Sequence, residues 1–135
     1  GIDIAGAGGT SWSEVEAYRQ TEKTKRRIAH SFAGWGIPTS IALLGARRAL
    51  PNSLLIASGG MRTGIDAAKA IRLGADLVGI AAPTLGPAIE KTSLVVEQMA
   101  AVAEELRIAM FCTGSANLPA LREAIILDRR VGLTP

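Results

Sequence analysis

Apolar residues along this chain follow two patterns that alternate. Continuous apolar runs stand at Gly1-Ile2-Asp3-Ile4-Ala5, Leu54-Leu55-Ile56-Ala57-Ser58 and Asp76-Leu77-Val78-Gly79-Ile80-Ala81. Runs this short, set off by turn residues, read as strands buried on both faces. Elsewhere the apolar positions recur every three to four residues, as one face of a helix requires. Ile65, Ala68, Ala70 and Ile71 take that spacing behind a Thr63…Asp66 capping-box pair, and Gly74 stands where a terminal glycine ends a helix, which predicts a helix from Gly64 to Gly74. Val95, Met99, Val102 and Leu106 mark a longer helix after Pro83 and Pro87, and Asn117-Leu118-Pro119 opens a last one from Ala120 to about Leu127.

Two further helices are expected in the first third. Ser11 and Glu14 form a capping-box pattern, from which a polar helix can run to about Arg27. The Gly34-Trp35-Gly36-Ile37-Pro38 turn follows, and Pro38 suits the first turn of a helix that Ile41, Leu44, Ala49 and Leu50 continue towards Pro51. The order is therefore strand, helices, strand, helix, strand, helices. Such alternation calls for an α/β fold with parallel strands and right-handed crossovers. Three strands cannot close a barrel, but they match the last three βα units of a (β/α)8 TIM barrel, with residues 1–135 as the C-terminal portion of one barrel domain. The chain opens in the middle of a strand, so a longer parent chain is expected.

Chemistry enters at the strand ends. Ala5-Gly6-Ala7-Gly8-Gly9-Thr10, Ser58-Gly59-Gly60-Met61-Arg62 and Ala81-Ala82-Pro83 each follow or close an apolar run. In a parallel sheet all three fall on one edge. Small residues there let an anion reach backbone N–H groups with no Cβ in the way, which is how a (β/α)8 barrel holds a phosphate at its C-terminal face. Thr10 can donate its hydroxyl, Arg62 can offer a charged fork, and the N–H groups of Gly60, Met61, Ala81 and Ala82 complete a cradle. Alternatively, the glycines only make tight turns. A dinucleotide loop at Gly6-Ala7-Gly8-Gly9 is disfavoured, because the full G-x-G-x-x-G spacing and a following acidic residue are missing.

Composition narrows the field. Of 135 residues, 48% are hydrophobic and only 4% aromatic, which suits a core of Ala, Leu, Ile and Val. Fifteen Lys and Arg against twelve Asp and Glu give a net charge of +3. The basic groups Lys23, Lys25, Arg26 and Arg27, Arg47-Arg48 and Arg129-Arg130 lack interleaved aromatics, so they read as solvated faces and no nucleic-acid partner is expected. No apolar run approaches the ~18–20 residues of a membrane span, and no secretory signal is visible. The single cysteine, Cys112, lies in the apolar run Ile108-Ala109-Met110-Phe111-Cys112 and is expected to be a buried structural thiol. His30 is expected at a helix end. Cys and His show no metal-ligand spacing. Asp3, inside the first apolar run, is the carboxylate expected to be most buried, and no pair of opposed carboxylates or activated serine stands out.

At these residues the chain resembles the C-terminal part of the type 2, flavin-dependent isopentenyl-diphosphate isomerases. The resemblance rests on Asp3-Ile4-Ala5-Gly6-Ala7-Gly8-Gly9-Thr10-Ser11-Trp12, Trp35-Gly36-Ile37-Pro38-Thr39, Ile56-Ala57-Ser58-Gly59-Gly60-Met61-Arg62, Ala67-Ala68-Lys69-Ala70-Ile71 with Leu73-Gly74-Ala75-Asp76, and Ala109-Met110-Phe111-Cys112-Thr113-Gly114. These run in family order over nearly the whole chain. The resemblance implies a barrel that uses reduced FMN, NADPH as reductant and Mg2+ to interconvert isopentenyl and dimethylallyl diphosphate. It implies cytoplasmic homo-oligomers, tetramers or octamers. By motif, Thr10, Gly59, Gly60, Met61, Arg62, Ala81 and Ala82 would hold the FMN, chiefly its phosphate. The catalytic and metal-binding residues of the family lie upstream of the segment seen here, so they are unassigned in this chain, and the isolated 135 residues are expected to be inactive. Two alternatives stay open: another FMN barrel, of the 2-hydroxy-acid oxidase or glutamate-synthase-like kind, and a barrel fragment that turns nothing over.

Overall fold

The computed structural model describes residues 1–127. Apolar runs become three short parallel strands, β1 (Ile2–Ile4), β2 (Leu55–Ala57) and β3 (Leu77–Val78), in the order β1-β2-β3. Ile2 pairs with Leu55 and Ile4 with Ala57, while Ile56 pairs with Leu77. The ladder extends past the strand ends through Ser58 N–H to Ile4 O at 3.1 Å and Gly79 N–H to Ala57 O at 2.8 Å. Only the central strand is deeply buried. Ile2 and Leu77 on the two outer strands are 44% and 54% exposed, so the expectation of strands buried on both faces holds for β2 alone. Among the described residues, each outer strand pairs with β2 alone. The third strand also stops at Val78, three residues short of the expected Ala81.

Helices α1 (Trp12–Arg19) and α2 (Lys23–Ser31) replace the single polar helix expected from Ser11 to Arg27. Ser11 does cap α1, accepting from the Glu14 N–H. Glu14 does not return the bond. Its carboxylate meets His30 Nδ1 at 2.8 Å across the α1–α2 hairpin, which places His30 in the last turn of α2. Helix α3 (Thr39–Ala49) starts one residue after Pro38, and α4 (Gly64–Arg72) forms behind the full capping box: Thr63 Oγ1 accepts from Asp66 N–H, and Asp66 Oδ2 accepts from Thr63 N–H, both at 3.1 Å. Gly74 terminates this stretch with φ of +110°, a conformation side chains resist.

Beyond β3, α5 (Ala82–Glu90) begins where no helix was expected, with Pro83 in its first turn and Pro87 inside it. Proline is tolerated in a first turn, whose N–H groups have no helical acceptor, so Pro83 is no barrier to an early start. Helix α6 (Thr92–Cys112) carries the Val95-Met99-Val102-Leu106 stripe, and the final helix is only α7 (Leu118–Arg122), capped by Asn117 Oδ1 to Ala120 N–H at 2.9 Å. The expected continuation to Leu127 is not helical.

The core is small and aliphatic. Leu43 of α3, Leu55 and Ala57 of β2, Ala70 of α4 and Ala75 form one cluster, with Met61 packed against it. Leu43 and Leu55 are 1% or less exposed, and burying each stabilises the fold by about 1.5–3 kcal/mol. A second cluster joins Ala68 and Ile71 of α4 to Leu121 of α7, with Leu106, Ala109 and Met110 of α6 against it. Helices α4 and α6 approach most closely at Gly64, where an added Cβ would sit 2.3 Å from Val102 O. Gly64 N–H donates to Glu105 Oε2 at 2.6 Å, so the crossing also caps α4.

At the end of the sheet where β2 and β3 begin, Asp76 gathers the chain. Its Oδ2 accepts from Arg47 Nη2 at 2.6 Å and from Leu55 N–H at 2.9 Å, and its Oδ1 accepts from Arg122 Nη2 at 2.8 Å. Arg47 also donates to the carbonyls of Gly74, Pro51 and Ser53. The expectation that Arg47 belongs to a solvated face is therefore corrected: it is a partly buried clamp between α3 and the loops around β2. Arg129-Arg130 lie outside the described residues.

Candidate functional site

Opposite Asp76, at the C-terminal edge of the strands, the loops after β1, β2 and β3 meet around an open cleft of about 730 Å³. Thr10, Gly59, Gly60, Met61, Arg62, Ala81 and Ala82, expected from the sequence to act together, all line it, joined by the Gly6–Gly9 loop, Trp12 and Leu85. The residues come from segments more than seventy positions apart in sequence, and parallel pairing brings them to one edge.

Glycine is required here by geometry. Gly59 and Gly60 take φ of +66° and +84°, and a Cβ on Gly59 would lie 2.2 Å from Ala5 O. A Cβ on Gly8 would lie 2.5 Å from Gly59 O. The two loops thus touch through bare backbone. Next along, Asp66 Oδ2 accepts from Arg62 N–H at 3.1 Å as well as from Thr63. Burial pushes the Asp66 carboxyl up, but the Thr63 hydroxyl and the N–H groups of Arg62 and Thr63 more than offset it, and its pKa falls below the ordinary value. Because the Arg62 N–H is taken, what Arg62 offers a ligand is its exposed guanidinium. Met61 turns its side chain to the Leu43 cluster while its backbone remains on the cleft wall.

Helix α5 adds what the sequence pattern did not foresee. It starts at Ala82, on the wall of the cleft, so the Ala82 N–H and the positive end of a nine-residue helix stand beside the two glycine loops, while Pro83 has no N–H and the Thr84 N–H donates to Ala81 O at 3.0 Å. A helix N-terminus carries partial positive charge and unpaired donors. Glycine loops, a guanidinium and a short helix following a parallel strand make a concave site suited to a phosphate group.

The family model that matches residues 35–128 is described as FMN-dependent dehydrogenase. The chain belongs to the FMN-dependent dehydrogenase family. Membership implies a TIM-barrel-type fold, and the helix-rich α/β arrangement with a small parallel sheet is compatible with it. Among curated relatives, the isopentenyl-diphosphate delta-isomerase of Stutzerimonas stutzeri is 57% identical over 127 residues, 94% of this chain and 37% of the relative. The enzyme of the same name from Cronobacter sakazakii is 56% identical over 123 residues, 91% of this chain and 35% of the relative. That of Synechocystis sp. is 50% identical over 131 residues, 97% of this chain and 38% of the relative. The chain spans little more than a third of the length of these relatives.

Two side chains were placed wrongly from the sequence. Asp3 is exposed and accepts a hydrogen bond from the Ser58 hydroxyl. It lies on an outer strand, whose alternate side chains face no covering layer. Asp76, at the head of the third apolar run, is the partly buried carboxylate instead. Cys112 is exposed, because the last turn of α6 runs past the core that Ala109 and Met110 still reach. One residue went unnoticed: Thr39, quoted only within the Trp35–Thr39 motif, is 8% exposed and sits behind the two glycine loops. A β-branched hydroxyl directly after proline at a helix start is the signal that could have found it. Among the described residues, no helix is long and apolar enough to cross a membrane.

Proposed function

We propose that this chain is the C-terminal part of a flavin-dependent, type 2 isopentenyl-diphosphate isomerase, and that its own task is to hold the phosphate of FMN. The observation that carries the reading is the meeting of all seven expected residues at one cleft on the C-terminal edge of three parallel strands. The residues fit the group. Bare backbone at Gly59 and Gly8 lets the two loops meet to form the cleft, Gly60, Met61, Ala81 and Ala82 line its wall, and Thr10 and Arg62 add a hydroxyl and a fixed positive charge. Family membership alone also suits an oxidoreductase such as a 2-hydroxy-acid oxidase. The isomerase names of relatives at 50–57% identity favour the isomerase.

When bound and reduced, FMN would supply the acid–base chemistry at the allylic carbon of isopentenyl diphosphate. The residues of this chain contribute placement. The glycine loops admit the phosphate to backbone donors, Arg62 compensates its charge, and the start of α5 adds the Ala82 N–H and the positive end of its dipole. The isomerase reading brings with it NADPH as reductant, Mg2+, dimethylallyl diphosphate as product, a cytoplasmic location and a tetramer or octamer, all as properties of the full-length enzyme. Residues for Mg2+ and proton transfer are assigned to the parts of that enzyme beyond these 135. The unpaired sides of β1 and β3 support a role as the last three βα units of a barrel.

The test is to express the full-length chain and measure its flavin spectrum and its conversion of isopentenyl diphosphate with NADPH and Mg2+. A yellow protein that forms dimethylallyl diphosphate is expected. A full-length protein that binds FMN but oxidises a 2-hydroxy acid would replace the isomerase reading, and turnover by the 135 residues alone would remove the division of labour proposed here. In the full-length protein, Arg62→Ala should weaken FMN binding by about 1.5–3 kcal/mol, the worth of a charged hydrogen bond. Unchanged affinity in a fluorescence titration would take Arg62 out of the site.

A further inference from the structure

A single buried hydroxyl braces the first glycine loop where it meets the second. Thr39 Oγ1 donates to Ala5 O at 2.5 Å and accepts from Gly8 N–H at 3.2 Å, bridging 34 and 31 residues of sequence, and Gly59 O lies 3.4 Å away. Ala5 and Gly8 belong to the loop after β1, and Gly59 to the loop after β2. The fit is close on every side: a Cβ on Gly6 would lie 2.7 Å from Thr39 Cα, and one on Gly8 would lie 2.6 Å from Thr39 Oγ1. A threonine at a helix start usually caps its own helix. Thr39 does not, because Pro38 occupies the cap position and no side-chain cap bond is made. Its proton goes to Ala5 O and its lone pair to Gly8 N–H, both in the loop after β1, while Gly59 O only abuts it. Thr39 stands behind the cleft and not on its wall, so it touches no ligand there.

We infer that Thr39 is a positioning residue for the anion cradle: its hydroxyl braces the loop after β1 onto α3 with Gly8 set against Gly59, and so fixes the spacing between Thr10 and the Gly59–Arg62 wall. The inference rests on the reading of the cleft as the FMN phosphate site. Without the hydroxyl, Ala5 O and Gly8 N–H lose their shared partner, and the loops are held apart or together only by bare contact. A cradle for a small tetrahedral anion tolerates little widening, since each donor must stay within hydrogen-bond reach. Riboflavin, which has no phosphate, would not depend on that spacing. The clamp therefore acts on the phosphate and not on the flavin as a whole.

This separates a positioning role from a merely structural one. The full-length protein is titrated with FMN and with riboflavin, which lacks the phosphate, as wild type, Thr39→Val and Thr39→Ser. Thr39→Val is expected to bind FMN roughly tenfold more weakly while riboflavin affinity changes less than about twofold, and Thr39→Ser to restore FMN binding to within about threefold of wild type. Thr39→Ala takes the place of Thr39→Val if the valine variant does not accumulate as folded protein. Equal FMN affinity in the hydroxyl-free variant and wild type overturns the inference, as does an equal loss for both flavins that serine does not restore. A wild-type protein that does not prefer FMN to riboflavin overturns the phosphate reading of the cleft, and the inference with it.

Discussion

Alanine at Gly59 is expected to abolish FMN binding and to destabilise the fold by about 3–5 kcal/mol. Two costs coincide. Gly59 has φ of +66°, where a Cβ costs about 1–2 kcal/mol against the following carbonyl. The same Cβ would sit 2.2 Å from Ala5 O and 2.8 Å from Gly9 N. Those are backbone atoms and cannot rotate away, so the loop after β1 has to move. That movement opens the contact with Gly8 and breaks the cleft wall. The contrast is Gly45 in α3, where an added Cβ meets nothing within 4 Å. Gly45→Ala should stabilise the helix by roughly 0.5–1 kcal/mol. Thermal melts and flavin titrations of both variants in the full-length chain check the pair. A Gly59→Ala protein with wild-type melting and flavin affinity would show that the two loops are not locked as described.

Loss of Asp76 should have the largest effect on stability away from the cleft. Its two oxygens hold Arg47, Arg122 and the Leu55 N–H, and Arg47 in turn ties down four carbonyls. Asp76→Ala leaves these donors facing one another without an acceptor. The expected loss is about 2–3 kcal/mol, below the cost for a fully buried pair because the Asp76 and Arg122 side chains are 25% and 41% exposed. The pH dependence follows from the same contacts. The Leu55 N–H holds the Asp76 carboxyl below its ordinary pKa, partial burial opposes this, and Arg47 and Arg122 reinforce it. A carboxyl more acidic in the fold than in the unfolded chain stabilises the fold above the unfolded value near 4, and that stabilisation is lost as pH falls through the folded value. The melting difference between wild type and Asp76→Ala should therefore be full at pH 7 and shrink below about pH 4. A difference that does not change with pH would mean the charge of Asp76 is not what holds Arg47 and Arg122.

Local signals with a mechanism were legible in the sequence. The Thr63–Asp66 box, the Gly74 terminus and the paired glycines at 59 and 60 each impose a backbone requirement that few other residues meet. Parallel order followed from strand–helix alternation, and with it the gathering of Thr10, Arg62 and Ala82 at one edge. What escaped depended on partners far along the chain. Asp3 reads as core by its neighbours, yet it lies on a strand that is covered on one side only. Cys112 ends an apolar run, but burial depends on where α6 leaves its support. Arg47 looks like half of a solvated pair until Asp76 arrives from 29 residues away. Helix α5 was hidden by Pro87, which stands inside it and reads in sequence as a helix breaker. Thr39 was silent because nothing local shows that its hydroxyl leaves its own helix.

Strand β2 is three residues long, with the Arg47–Asp76 clamp at one end and Gly59 just past the other. A lesion at the clamp end weakens folding but spares the cleft. Ligand at a hundred times its dissociation constant adds about 2.7 kcal/mol to the folded state, comparable with the expected loss at Asp76. On the flavin reading, variants at the clamp end would be rescued in a cell that overproduces or is fed the vitamin precursor, whereas variants at the glycine end would not respond. A few ångströms of one strand would thus divide inherited lesions into cofactor-responsive and cofactor-refractory classes.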